Sequence, residues 1–296
     1  MIKFKNYNLF FKITSFLIII SSIGFIKIDQ IKYHSRNLLR KTKTFLLTRK
    51  NTSCKINKIE YIPPESIVVI GHAYGSPSKK EDFISKKVQF FLKHNSQNID
   101  TIVFTGDVFK IPSSEKWNKL NKIYGENSNI IIAPGNHDIG LNKKFKSYFN
   151  DSSLSNKFPY KVEFSNFEMV VEDSTSNNWL FDEKLYELIN QIDTSKTIIL
   201  VRHHVPIKDL VFLANSTEGY NGGLPNFEDL GNSINRQEDT IIISGDGGAF
   251  SSLPRFICLK NKKLKVILNG IGDISEDIIV VINKEEIYKF NLKKNY

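Results

Sequence analysis

The chain has 296 residues and a formal charge of +10. Residues 1–60 hold 13 Lys/Arg and 2 Asp/Glu, whereas residues 61–296 hold 28 and 29, so the longer part is close to neutral. That balance excludes a basic nucleic-acid-binding face on the domain, and the two cysteines match no zinc or redox spacing.

Residues 13–26 carry no charge, and extension back to Tyr7 adds only Lys12, whose stem can snorkel to the interface. The extended run is about 20 residues, the length that spans a bilayer core. Residues 1–27 therefore read as a single-pass anchor. A signal peptide is the competing reading, because Lys3 and Lys5 precede a short apolar core. The larger basic cluster follows the apolar run, and positive-inside counting would keep the domain in the cytoplasm. A secretory start would place it outside, and the two stay open. Residues 28–60 are a basic segment in which Ile31, Leu38, Leu39, Phe45 and Leu46 recur at helical spacing. This suits an amphipathic helix on an anionic membrane surface, or a helix packed on the domain. Asn51 to Tyr61 reads as a connector, and Pro63-Pro64 opens a domain at 61–296. Cys54 and Cys258 form a disulfide if that domain is extracytoplasmic; otherwise they are unrelated thiols.

Within the domain, Ser66 to Ile70 is a short apolar run ending in Gly71, as in a buried parallel strand. Glu81 to His94 and Ser113 to Tyr124 show helical spacing, the latter with a serine cap. Ile99 to Phe104 and Asn129 to Ala133 are further strands, so strand and helix alternate as in parallel crossover units. Tyr160 to Phe164 and Phe167 to Glu172 resemble a hairpin. Glu183 to Ile192 is a helix, and Thr197 to Val201 and Thr240 to Ile243 are strands. Residues 214–238 form a long polar loop, a lid or a disordered segment. Lys265 to Leu268, Ile278 to Asn283 and Ile287 to Leu292 read as antiparallel strands. Two packed sheets with helices outside give an α/β architecture.

Two tetrads stand at strand ends. Thr105-Gly106-Asp107-Val108 closes the run Ile102-Val103-Phe104, and Gly135-Asn136-His137-Asp138 follows Ile130-Ile131-Ile132. Strand ends are where open α/β sheets build their sites. Asp, Asn and His are oxygen and imidazole donors suited to Mn, Fe, Zn or Mg. Gly-Asn-His-Asp alone is also an ordinary turn sequence. With both tetrads correctly spaced after strands, the chain resembles the calcineurin-like metallophosphoesterases over roughly Ile67 to Phe250.

The resemblance implies a two-sheet sandwich flanked by helices and a divalent-metal centre that activates water against a phosphate ester. It implies that Asp107 bridges two metals and that Asn136 ligates the second. It also implies that His137 binds no metal and acts on the transition state or the leaving oxygen. A histidine in Arg202-His203-His204-Val205-Pro206 would ligate the second metal. The family's His-x-Pro spacing selects His204, with His203 the alternative. Adjacent strand residues point opposite ways, so one of the two would face the site.

Two motifs depart from the pattern. The family's Asp-x-His falls on His72 and Tyr74, and its Gly-His-x-His falls on Gly245-Asp246-Gly247-Gly248. The second metal keeps Asp107, Asn136, a histidine and Asp246, while the first keeps Asp107, with His72 either a ligand or a structural hydrogen-bonding residue and Tyr74 a ligand only if ionised. One firm metal site is therefore expected, with a second only if the centre is rearranged. The exchange of acid for His at 72 and His for acid at 246 conserves the ligand count in part if the two loops adjoin. Tyr74 reads as a packed or substrate-facing aromatic, because a phenol deprotonates near about pH 10. Arg202 is either a phosphate contact or a surface charge.

Two functions follow. One is a membrane-tethered, metal-dependent hydrolase of phosphate esters or pyrophosphates, whose substrate is a phosphorylated small molecule, a lipid-linked group or a surface polymer. The other is a catalytically degenerate protein of the same fold that binds a phosphorylated ligand or a protein partner.

Overall fold

The computed structural model describes residues 54–76, 82–139, 152–214, 222–233, 238–247, 256–273 and 277–292, with Ser35, Leu38, Leu39, Thr42, Lys43, Phe45, Leu46, Phe149 and Tyr220. The predicted anchor at 1–27 and Gly248 lie outside the described residues. Among the described residues no helix is long and apolar enough to cross a membrane. Two units divide the chain at residues 42 and 43. In the first, Ser35, Leu38, Leu39 and Thr42 are helical and exposed. In the second, Lys43, Phe45 and Leu46 are likewise helical and exposed. Of the residues predicted to recur at helical spacing, Leu38 and Leu39 in the first unit and Phe45 and Leu46 in the second are thus helical and exposed.

The second unit contains two six-stranded sheets. The first is ordered β1 (Asn57–Ile59), β12 (Glu286–Asn291), β11 (Ile278–Asn283), β2 (Ser66–Ile70), β3 (Ile99–Phe104), β4 (Asn129–Ile132). The second is ordered β5 (Tyr160–Glu163), β6 (Phe167–Val171), β7 (Thr197–Arg202), β8 (Thr240–Ser244), β10 (Leu264–Asn269), β9 (Phe256–Asn261). β2, β3 and β4 run parallel, as do β6, β7, β8 and β10. The predicted 160–172 hairpin forms, β5 pairing antiparallel with β6.

Strand alternation explains why these runs are apolar throughout. Ile67 and Val69 face the layer between the sheets, with Val103, Met169, Val201, Ile243 and Val280. Val68 and Ile70 face the outer layer and meet Phe91, Trp117 and Leu120 from the flanking helices α1 (Lys86–Asn95) and α2 (Ser114–Tyr124). Both faces are buried, so the strands carry no polar alternation. Ser113 caps α2, its hydroxyl accepting from the Lys116 N–H at 3.3 Å. On the other outer face, Leu185 of α4 (Glu183–Asn190) and Phe227 and Leu230 of α5 (Phe227–Ser233) pack on Leu200 and Ile242. A four-residue helix, α3 (Asn136–Ile139), follows β4.

Three expectations change. The first predicted helix starts at Lys86 rather than Glu81. Lys265 to Leu268 does not pair with the last two strands. It lies parallel to β8 in the other sheet, with β9 antiparallel on its far side. Part of the polar 214–238 loop folds as α5, anchored by Phe227 and Leu230, whose spacing is helical. The domain also begins before residue 61. Asn57–Ile59 pairs with β12, and Cys54 is disulfide-bonded to Cys258 of β9 with Cα atoms 5.3 Å apart.

The disulfide joins residues 204 apart in sequence, so it constrains about two thirds of the unfolded chain of 296 residues. Replacing both cysteines by serine should lower the unfolding free energy by about 2–5 kcal/mol in urea titrations. An unchanged midpoint would show that the thiols are not bonded.

Candidate metal centre

The loops at the carboxyl ends of β2, β3, β7 and β8 lie in close contact. A Cβ on Gly106 would collide with the imidazole of His203, and one on Gly71 would collide with the Gly245 backbone. Only glycine permits that approach. The loops are tied by the His72 N–H to the Gly106 carbonyl at 3.0 Å and the Asp246 N–H to the His203 carbonyl at 3.0 Å. The 72–74 and 245–246 loops therefore adjoin, as the exchange of acid and histidine between them requires.

His72 and Asp107 both hold φ at 55°, in the left-handed region that non-glycine residues seldom occupy. Such conformations cost on the order of 1–3 kcal/mol each and gather at functional sites. Here they turn both side chains inward. Asp107 Oδ2 lies 3.4 Å from His72 Nε2, and Oδ1 lies 3.5 Å from His203 Nε2. One carboxylate thus presents an oxygen to an imidazole on each side. Its Oδ1 also accepts the His137 N–H at 3.1 Å. Burial opposes ionisation of Asp107, but His203, His137 and His72 outweigh it, and the carboxyl is held below its usual range.

The structure brings His203, rather than His204, to Asn136. His203 Nε2 is 3.1 Å from Asn136 Oδ1, while Nδ1 is 3.0 Å from the Thr105 carbonyl. A carbonyl accepts a hydrogen bond from Nδ1–H, which leaves Nε2 as the donor atom for a metal. The contact with Asn136 thus falls to His203, the alternative to His204. His204 is held differently. Its Nδ1 is 3.2 Å from Ser174 Oγ, and its ring stacks on Trp179 at 4.3 Å. Burial, with His203 and Arg202 nearby, keeps His204 well below the ordinary histidine range, so it is neutral at pH 7. His203, His204 and Asp246 nevertheless form one buried group whose donor atoms lie within 4.8 Å of one another. The donor set is mixed oxygen and imidazole, and it fits a divalent ion of the Mn, Fe or Zn type.

His137 is half-buried beside this group. Its Nδ1 is 2.9 Å from the Lys110 carbonyl, so Nε2 is the ring atom available to a ligand. Burial would lower its pKa, but Asp107, the Lys110 carbonyl, Asp138 and Asp246 together raise it. The ring of Tyr74 lies between those of His72 and His137, with centroids 4.2 and 5.1 Å away. Burial first, then Asp107 and Asp246, push its phenol upward, so the hydroxyl stays protonated. This agrees with a substrate-facing or packed aromatic and not with an ionised ligand.

Arg202 does not reach the site. It is the last residue of β7 and points to the outer layer, fully buried, with Nη1 3.2 Å from Glu172 Oε2. It donates to the Trp179 carbonyl and lies over the Phe181 ring at 4.5 Å. Both alternatives drawn from sequence, phosphate contact and surface charge, give way to a buried structural pair. Burial outweighs Arg202 and raises the Glu172 carboxyl to about 7.

Asp138 and Ser174 were not assigned roles from sequence. Asp138 accepts the Val108 and Gly135 N–H groups at 2.9 Å, which binds the two tetrads to each other. Burial and Asp107 raise its carboxyl to about 7. It stands inside the Gly-Asn-His-Asp tetrad, where it was visible. Ser174 follows the apolar run of β6 and was legible as one more polar residue at a strand end.

Two mixed sheets, helices on both outer faces and polar strand-end loops converging between the sheets define a metallophosphoesterase-type sandwich. The model of the calcineurin-like phosphoesterases matches residues 66–270, and the chain belongs to that family. No curated protein sequence matches it. Among solved structures, it is similar to a protein assigned as a 5′-nucleotidase from Staphylococcus aureus, with 15% identity and a TM-score of 0.44. That match covers 77% of this chain and 54% of the other, so this chain spans about half of its length. The phosphopantetheinyl hydrolase of Mycobacterium tuberculosis is 9% identical, with a TM-score of 0.41 and coverage of 71% and 91%. A Vps29 double mutant from Entamoeba histolytica is 11% identical, with a TM-score of 0.36 and coverage of 76% and 91%.

Replacing Glu172 by alanine would leave the Arg202 guanidinium buried without its carboxyl partner. The expected loss is about 3–5 kcal/mol of unfolding free energy. A loss below about 1 kcal/mol would show that the pair is solvated and that Arg202 is free to move.

Proposed function

We propose that the chain is a membrane-tethered, metal-dependent hydrolase of phosphate ester or pyrophosphate bonds. The observation that carries this reading is Asp107, whose two oxygens face His203 with Asn136 on one side and His72 on the other. Asp107, Asn136, His203 and Asp246 would hold a divalent ion. Such an ion supplies Lewis acidity to a phosphoryl oxygen and lowers the pKa of water.

The chain's own residues supply the rest. Asp107, the Lys110 carbonyl, Asp138 and Asp246 favour the protonated form of His137, which can deliver a proton from Nε2 to the departing oxygen, while the Lys110 carbonyl fixes its ring. Tyr74 keeps its hydroxyl proton and can donate a hydrogen bond to the substrate. Asp138 holds the Asp107 and Asn136 loops at fixed spacing. Arg202 is turned away, so recognition of phosphate rests on the ion, His137 and Tyr74.

The uncharged run at 13–26 and the basic segment after it support a membrane tether and a lipid-linked or surface-polymer substrate. The Cys54–Cys258 disulfide supports an oxidising compartment, with the domain on the outer side of the membrane.

The test is Mn-dependent hydrolysis of phosphomonoester, phosphodiester and pyrophosphate substrates by the detergent-solubilised full chain. Turnover should disappear with chelator and in Asp107→Asn. His137→Ala should lower kcat about 10²- to 10⁴-fold. Absence of turnover from a folded, metal-loaded chain would overturn the hydrolase reading and leave a protein that binds phosphoryl groups. For the tether, the full chain should stay in the membrane fraction through alkaline carbonate. Its release would refute the anchor.

A further inference from the structure

We infer that His204 is a metal ligand beside His203, so that this centre takes two adjacent histidines where the family pattern takes one. The inference rests on the metal-dependent reading above and deepens it.

Donor atoms of His203, His204 and Asp246 lie within 4.8 Å of one another, and all three residues are buried. A tetrahedral dication with bonds of about 2.1 Å holds its donors about 3.4 Å apart. Shifts of at most roughly 0.7 Å per donor therefore close the group around an ion. β7 ends at Arg202, so the alternation that would send neighbouring side chains to opposite faces no longer governs residues 203 and 204. Their rings meet edge to face with centroids 4.8 Å apart.

Each ring has the backing that ligating imidazoles use. His203 Nδ1 faces the Thr105 carbonyl. His204 Nδ1 faces Ser174 Oγ, which already accepts the His204 backbone N–H at 3.0 Å. A hydroxyl oxygen has two lone pairs, so it can accept from Nδ1 as well. That leaves Nε2 of His204 to bind a cation. Trp179, stacked at an interplanar angle of 14°, fixes the plane of the ring.

Charge points the same way. Asp107 and Asp246 are 1% and 2% exposed, and buried carboxylates are stable only when compensated. Asp246 stands where the family pattern places an imidazole. With His204 added, the set becomes two carboxylates, two imidazoles and one amide oxygen. Its charge of two negatives matches one dication.

The experiment is titration of the metal-stripped full chain, in detergent, with Co(II). Binding is read from visible d–d absorption and from bound cobalt per chain. Wild type should bind with bands characteristic of mixed nitrogen and oxygen donors. His204→Ala should lower affinity at least about tenfold and shift the bands. Ser174→Ala, which leaves the imidazole in place, should lower affinity about 10- to 100-fold. It supplies the test if His204→Ala does not fold, as read by near-UV circular dichroism. Wild-type affinity and bands in a folded His204→Ala, or in Ser174→Ala should His204→Ala not fold, would overturn the inference. If Asp107→Asn still loses cobalt in that case, the metal-dependent reading survives. Failure of wild type itself to bind cobalt would overturn both.

Discussion

The close approach of the two sheets at their carboxyl ends sets every distance in the centre. Gly106 lies against the His203 ring, and Gly71 lies against the Gly245 backbone, with no room for a side chain between them. A methyl group at either point would separate the sheets at the site and draw Asp107 away from His203. The layer between the sheets is filled by Val69, Val103, Val201, Ile243 and their neighbours. Packing of that layer and spacing of the ligands are therefore one constraint. A change of volume at Val103 or Val201 is felt at Asp107 or His203, since each lies on the strand leading into its loop.

The same constraint explains the local strain. Parallel strands of adjoining sheets deliver their ends side by side, but strand geometry points alternate residues away from any common centre. Left-handed turns at His72 and Asp107 redirect those side chains. Asp138 then fixes the result by accepting backbone N–H groups from both tetrads. Its burial beside Asp107 is unfavourable for two ionised carboxyls, which is why its own carboxyl is raised. Stability is given up locally to hold Asp107 with one oxygen on each side of the centre.

Much of this was legible in the sequence. The apolar runs of β2, β3, β4, β7 and β8 and the polar tetrads after them located the sheets and the site. The polarity of the site's outer wall was not legible. Arg202 ends an apolar strand beside two histidines, and nothing local shows that it turns outward to Glu172, 30 residues earlier. The contact of His203 with Asn136 was equally hidden, because it depends on the Thr105 carbonyl across the sheet interface. Spacing to Pro206 carries no information about that carbonyl. β1 and β9 were missed because Asn57–Ile59 is short and Phe256–Asn261 is an edge strand with a polar end. Both belong to the sheets through pairings with distant strands.

The altered motifs read differently once the loops are seen together. Viewed separately, His72, Tyr74 and Asp246 are losses from a ligand pattern. In the folded chain the two loops adjoin, and Asp246 groups with His203 and His204 on the side of the centre that retains Asn136. Tyr74 fills the other side, packed between His72 and His137 with its proton retained. Donors are therefore lost at Tyr74 and Gly248 and kept on the side that retains Asn136. The side of Asp107 that faces His203 gathers carboxylates and imidazoles for a cation. The side that faces His72 gains a neutral hydrogen-bond donor where the family pattern has a ligand. On the proposed hydrolase reading, a phosphoryl group held between them would meet a bound cation on one side and a proton donor on the other, an asymmetry suited to cleavage of its ester bond.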